Sequence, residues 1–257
     1  MKIKLGVGKV SGPVDMRGLI ERAHRLVSKF GAEARELSPG LDAYRKRMQK
    51  EPGPARKLVS AQDTAVELGP PDRLSVNAVL WTREKKLVRD NRFCLVGPDL
   101  AEAAGTAHAY AQVICLAVKE SGADALGLEA LQYFPELLPG LMARMVPGRL
   151  WLRASKNAVA AGLNFSLLAA AVRAAYQKEL PQVLGVESIF VTRGRSEVEP
   201  FAAIASEAKI LAGKHRRIAL SEDGGYECAE LDCRNCEEKP VCDMIREVRK
   251  IRRREKL

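Results

Sequence analysis

Four of the six cysteines of this chain fall in one short stretch, Cys228, Cys233, Cys236 and Cys242, spaced C-x4-C-x2-C-x5-C. The thiolate is the form of cysteine that binds soft metals. Four of them on a short segment close readily around one tetrahedral ion or one cubane cluster. The surrounding residues are polar and lack apolar periodicity, so the segment has no core of its own and needs something else to fold around. Three occupants compete. Zinc sites usually pair two C-x2-C knuckles, and here only Cys233 and Cys236 form one. Iron–sulfur ligation tolerates uneven spacing, and C-x4-C-x2-C matches the start of a plant-type ferredoxin pattern whose fourth ligand lies further on. Disulfides need an oxidising compartment, and Met1-Lys2-Ile3-Lys4 does not read as a signal peptide. The expected occupant is a [4Fe–4S] cluster, with zinc as the alternative and disulfides or free thiols as the remaining reading. Cys94 and Cys115 have apolar neighbours and read as inert, buried thiols.

Other candidates for chemistry are weaker. Gly6-Val7-Gly8-Lys9-Val10-Ser11 resembles a phosphate loop in outline, but its glycines are too close together for one, so it reads as a turn. His24 and His108 have no partner at ligand spacing and read as structural. No nucleophile–base pair or carboxylate dyad is evident, so no catalytic residue is assigned.

The elements that must position these residues begin with composition. With 257 residues and 47% apolar content, the chain is expected to fold into one large or two small domains. No apolar run approaches the roughly 20 residues of a spanning helix, which points to a cytoplasmic protein away from membranes. The net charge of +10 favours anionic partners, whether nucleic acid, phosphorylated cofactors or acidic proteins. Part of this excess lies in residues 243–257, where Met244, Val248 and Ile251 recur at helical spacing among basic side chains. A terminal helix is expected there, and its lack of aromatics argues against binding single strands by base stacking.

Along the chain, a strand at Lys2 to Val7 precedes a helix from Asp15 to Phe30 and a charged helix from Leu41 to Lys50. Leu58 to Leu68 is open between strand and loop, and Gly69-Pro70-Pro71 breaks the chain. Val76 to Trp81 and Lys86 to Val96 read as strands joined by a polar turn. Leu100 to Ser121 is alanine-rich and reads as a helix with Asp99 as its N-cap and with His108 and Cys115 on a shared face. Residues 123–148 read as short helices broken by prolines. Arg149 to Ser155 alternates as a strand, with Leu150 and Leu152 facing one way and Trp151 and Arg153 the other. Ser155 caps a short helix, Ser166 opens a long one to Glu179, Ser188 to Thr192 is a strand, and Glu197 to Gly213 is a helix. The expected fold class is α/β: a layered mixed sheet with helices, plus a small C-terminal cysteine-rich metal-binding segment and a terminal helix. The expected divisions are a strand–helix region over 1–70, an α/β core over 71–220, and the cysteine-rich segment with the basic helix over 221–257.

The stretch Trp151-Leu152-Arg153-Ala154-Ser155-Lys156-Asn157-Ala158-Val159-Ala160-Ala161-Gly162 resembles a segment in the middle domain of acetyl-CoA synthase, the β subunit of the CO dehydrogenase/acetyl-CoA synthase complex. The likeness continues through the helix at Leu167 to Lys178, the strand Ile189-Phe190-Val191-Thr192 and the helix from Glu197. In that family a cysteine-bearing segment follows and ligates a [4Fe–4S] cluster, and Cys228, Cys233, Cys236 and Cys242 follow here in the same order. The resemblance implies the fold, that ligand set, and a place in anaerobic one-carbon metabolism alongside a redox or one-carbon protein partner. It also implies a CoA-like ligand whose adenine and phosphates would meet Trp151, Arg153 and Lys156. The family's nickel-holding Cys-Gly-Cys has no counterpart here, so the chain alone is not expected to assemble acetyl-CoA. The role expected instead is that of an iron–sulfur accessory protein in electron transfer, metal delivery or partner docking. The alternative is a zinc-stabilised, basic nucleic-acid-binding protein.

Overall fold

Runs of apolar residues with β-branched members, too long to alternate, build the centre of the molecule. In a computed structural model, which describes residues 15–49, 59–119, 138–146, 149–213, 218–220 and 226–228, they form a five-stranded mixed sheet. Its strands are β1 (Ala34–Glu36), β3 (Ser75–Thr82), β4 (Arg92–Val96), β6 (Tyr110–Val118) and β9 (Val183–Val191), in the order β1-β4-β9-β6-β3. β3 and β6 run parallel, β6 and β9 antiparallel, β9 and β4 parallel, and β4 and β1 antiparallel. Every residue of β3 and of β6 is buried, as strands covered on both faces require.

Helices supply the cover. Phe165, at the start of α4 (Phe165–Glu179), lies against Phe190 with ring centroids 4.8 Å apart and against Tyr110 at 6.2 Å. Glu187 is an odd number of positions from Phe190, so it points to the opposite face, where His24 of α1 (Arg17–Lys29) meets it. The last long helix, α5 (Arg195–Gly213), packs on β3 and is tied to α1 by Arg22 and Glu207 at 2.5 Å. The expected helix from Glu197 is thus present, with Val198, Phe201, Ile204, Ala205, Ala208 and Ala212 buried. α4 also stands where expected, except that Asn164 caps it through Leu167 N and Ser166 instead accepts from Ser38 N.

A second, four-stranded sheet has the order β5-β2-β8-β7, from β2 (Thr64–Leu68), β5 (Ala107–His108), β7 (Leu141–Val146) and β8 (Arg149–Ser155). β2 and β5 pair in parallel, then run on side by side into β3 and β6, which also pair in parallel. Two features hold this corner. Ser75 Oγ donates to Leu150 O at 2.6 Å and accepts from Leu150 N at 2.9 Å. Gly69 turns the chain at φ +62°, where a Cβ would come within 2.6 Å of Leu150 O and 2.7 Å of Ser75 Oγ. Past β8, Ser155 Oγ accepts from Ala158 N and caps α3 (Lys156–Ala160), as its position in the sequence implies. The charged helix near the N-terminus is α2 (Leu41–Met48).

Three expectations are corrected. Residues 100–118 are not one helix: turns lead into β5 and β6, so His108 and Cys115 do not share a helix face. Asp99 caps no helix; its Oδ1 accepts from Leu100 N and from Phe165 N, joining this loop to the start of α4. β3 and β4 are not a hairpin, because β6 and β9 lie between them. Of the proline-broken stretch, the described part over 141–146 is strand β7. Residues 216–257 form a separate unit, in which β10 (Ile218–Leu220) pairs antiparallel with β11 (Tyr226–Cys228). The expected N-terminal strand and C-terminal helix lie outside the described residues.

Candidate ligand-binding face

The alternation in β8 decides what the four-stranded sheet presents. Leu150, Leu152 and Ala154 are buried towards the core with Val66 and Leu68 of β2. Arg149, Trp151 and Arg153 take the opposite face by the same period. Register adds the neighbours: Arg153 stands opposite Glu67 of β2, and Trp151 opposite Arg144 of β7. Directly opposed side chains on one face touch, and these do. Trp151 Nε1 donates to Glu67 Oε1 at 2.9 Å, and Arg153 Nε donates to the same oxygen at 2.7 Å. The guanidinium carbons of Arg153 and Arg144 lie 4.5 and 5.3 Å from the centroid of the indole ring, within cation–π range. Arg149 Nη2 donates to the carbonyls of Pro71 and Arg73 at 3.2 and 3.1 Å.

Gly69, Pro71, Arg144, Arg149 and Trp151 line a hollow of about 140 Å³ here. Sites for whole small-molecule ligands run to roughly 300–1,000 Å³. The hollow therefore suits one ring or one phosphate group, as an anchoring point on an open face. Among the described residues, the guanidinium groups of Arg144, Arg149 and Arg153 stand on this face against the single carboxylate of Glu67, a balance that favours an anion.

Of the three residues expected to meet a ligand, Trp151 and Arg153 are brought together. Lys156 is not with them: it begins α3 past the end of β8, and its Nζ donates to Gln62 O at 2.9 Å. The sequence reading missed Arg144, Arg149 and Glu67. Arg149 carried a usable signal, since it shares the alternating face with Trp151. Glu67 is 84 residues from Trp151 in sequence and carried none.

Of the four clustered cysteines, Cys228 ends β11, with its backbone opposite Ile218. Cys233, Cys236 and Cys242 lie outside the described residues. Elsewhere the fold does bring together groups that looked isolated. Glu187 is fully buried, and its carboxylate accepts from Arg89 N at 2.9 Å, meets His24 Nε2 at 3.0 Å and pairs with Arg89 Nε at 3.3 Å. Cys94 Sγ points at it from 3.9 Å, and Cys115 stands opposite it in register. Burial, then the Glu187 carboxylate, pushes the Cys94 thiol up to about 12, and the same two causes raise Cys115 well above the usual thiol range. Both stay protonated at neutral pH, and a protonated thiol is a poor metal ligand or nucleophile. Among the described residues no group of three or more His, Cys, Asp or Glu side chains is arranged to hold a metal ion.

Fold and face together define a mixed-sheet α/β protein with an arginine-rich, tryptophan-centred surface on its four-stranded sheet. The family model of the CO dehydrogenase/acetyl-CoA synthase complex beta subunit matches residues 56–198, more than half of the chain, and the chain belongs to that family. It is thus an acetyl-CoA synthase-like protein of CO/acetyl-CoA metabolism. The matched residues contain the whole face, from Glu67 to Lys156, while the four clustered cysteines follow them. A search of the curated proteins found no match. No helix among the described residues is long and apolar enough to cross a membrane.

Proposed function

We propose that this protein binds a CoA-like ligand through the Trp151 face and serves as an iron–sulfur accessory component of a CO/acetyl-CoA complex. The observation that carries this reading is the indole flanked by Arg144 and Arg153, beside a hollow rimmed by Arg149. A flat π-system suits an adenine ring, and guanidinium groups suit phosphates. The hollow anchors one end of such a ligand and leaves the rest along the open sheet, which fits a carrier or docking surface better than an enclosed catalytic site. Lys156, which begins α3 just past the end of β8, is the proposed contact of a more distant phosphate of an extended ligand. Cys228, Cys233, Cys236 and Cys242 are the proposed ligands of a [4Fe–4S] cluster, which would supply electron transfer when bound. A protein partner from the same complex follows from the family's description as one subunit of an assembly.

The test uses full-length protein purified without oxygen. Calorimetric titration with coenzyme A is expected to show binding that Trp151→Ala and Arg144→Gln each weaken by at least about tenfold, the loss of one stacked or charged contact. Iron and acid-labile sulfide are expected in the same preparation. Absence of coenzyme A binding overturns the ligand assignment; stoichiometric zinc without sulfide overturns the cluster and keeps the cysteine site.

A further inference from the structure

The three guanidinium groups of the Trp151 face are not equivalent. Arg153 is held at 2.7 Å by Glu67, and the side chains of the pair are only 21% and 25% exposed. The same Glu67 oxygen takes the indole N–H. Arg149 is held by two main-chain carbonyls, which orient it without cancelling its charge. Arg144 is exposed, and its described contact is with the indole ring. Glu67 thus fixes the ring and neutralises the guanidinium stacked closest to it, while among the described residues no carboxylate pairs with Arg144 or Arg149 at the hollow.

We propose that Glu67 is the positioning and selectivity residue of this face. By pinning Trp151 and neutralising Arg153, it leaves Arg144 and Arg149 as the anion contacts, so the face takes a phosphate attached to a planar ring in preference to a bare polyanion. This rests on the ligand reading above for the ring, but not for the charge pattern. Without the carboxylate, three uncompensated guanidiniums would attract inorganic phosphates and nucleic-acid backbones regardless of any base. With it, the stacking surface is held still and the anion contacts are confined to one side.

The charge pattern is measurable without any specific ligand. Trp151 is half-buried, whereas Trp81, the other tryptophan, is 2% exposed and shielded from quenchers. Quenching of Trp151 fluorescence by iodide relative to neutral acrylamide therefore reports the local potential. Glu67→Gln is expected to raise the iodide-to-acrylamide ratio, and Glu67→Gln with Arg153→Gln to return it to the wild-type value. Inorganic pyrophosphate is expected to bind Glu67→Gln about fivefold more tightly than wild type, the effect of one unit charge a few ångströms away near the surface. Coenzyme A is expected to gain less, narrowing the discrimination between the two. Removing the neutralised pair together, Glu67→Gln with Arg153→Gln, should weaken coenzyme A less than Arg144→Gln or Arg149→Gln does. An unchanged quenching ratio in Glu67→Gln, or a double variant as damaging as the other two, overturns the proposal. A ratio that shifts as expected in a protein that binds no coenzyme A sustains Glu67 as the charge-setting residue and rejects coenzyme A alone. A gain of affinity, unlike a loss, does not arise from simple structural damage.

Discussion

Each sheet carries one carboxylate that ties several groups together, but in opposite settings. Glu187, in the five-stranded sheet, is fully buried and meets His24, Arg89 and Cys94 from three other segments. Glu67, in the four-stranded sheet, is half-buried and meets Trp151 and Arg153 on one open face. A carboxylate inside the core must find all its partners within the protein, so it contributes to the fold and is closed to ligands. A carboxylate on an exposed face is assisted by water, and its effect falls on what approaches that face. The first sheet is the scaffold, and the second carries the face proposed to bind a ligand. The corner at Gly69 and Ser75 ties one to the other through the Ser75–Leu150 hydrogen bonds.

Substitutions separate the two roles. The largest effect is expected from Glu187→Ala, which strands the partly buried His24 and Arg89 and costs about 4 kcal/mol. Urea denaturation followed by far-ultraviolet circular dichroism measures it. A loss below about 1 kcal/mol would place Glu187 with the surface groups and erase the contrast. Next comes Gly69→Ala, with its positive φ and its clash with Leu150 O and Ser75 Oγ. It should cost about 3 kcal/mol, and thermal unfolding should show both sheets weakened, since the corner belongs to both.

Asp90 gives a smaller, pH-dependent effect. Burial pushes its carboxyl up, but two hydrogen bonds from Arg173 at 2.9 Å and one from Val186 N at 3.0 Å together outweigh it and hold the carboxyl below the usual 3.8. A lowered carboxyl contributes stability that is fully present above the unfolded value and is lost as pH falls through the folded one. Asp90→Asn is therefore expected to cost about 2 kcal/mol at neutral pH. That deficit should shrink below about pH 4, where the wild type loses the same stabilisation. Parallel stability-versus-pH curves for the two proteins would count against the pair. The smallest change in stability, under about 1 kcal/mol, is expected for Arg144→Gln, whose side chain is exposed. The same substitution should nonetheless weaken coenzyme A binding in a titration, and this split sharpens the contrast most directly.

How much of this was legible in the sequence follows from what kind of information each feature needs. β8, its alternation, the Ser155 cap and the courses of α4 and α5 depend on residues close in sequence, and all were readable. β6 was not, because Tyr110 to Val118 is buried on both faces and so lacks alternation. Its two alanines, Ala111 and Ala117, and the alanine-rich stretch before it suggested a helix, although Val113, Ile114 and Val118 favour a strand. Trp151 and Arg153 were readable as a pair on one face. Glu67 and Arg144 were not, since cross-strand register alone brings them in. The same limit hid the approach of Cys94 and Cys115 to Glu187, which lies on a third strand.

The order of the five-stranded sheet also constrains how the chain emerges from the ribosome. β9 lies between β4 and β6, yet it begins only at Val183, 65 positions after β6 ends at Val118. Until then the β3–β6 pair and the β1–β4 pair each carry an unclosed hydrogen-bonding edge, and nothing joins them. Sheets completed by distant segments form slowly and expose apolar edges while they wait. Synthesis of this protein thus has a vulnerable interval that closes when residues 183–191 clear the exit tunnel. A pause in translation just upstream of β9 should raise aggregation and chaperone capture, whereas a pause of equal length near Cys242, once residues 183–191 have emerged, should not.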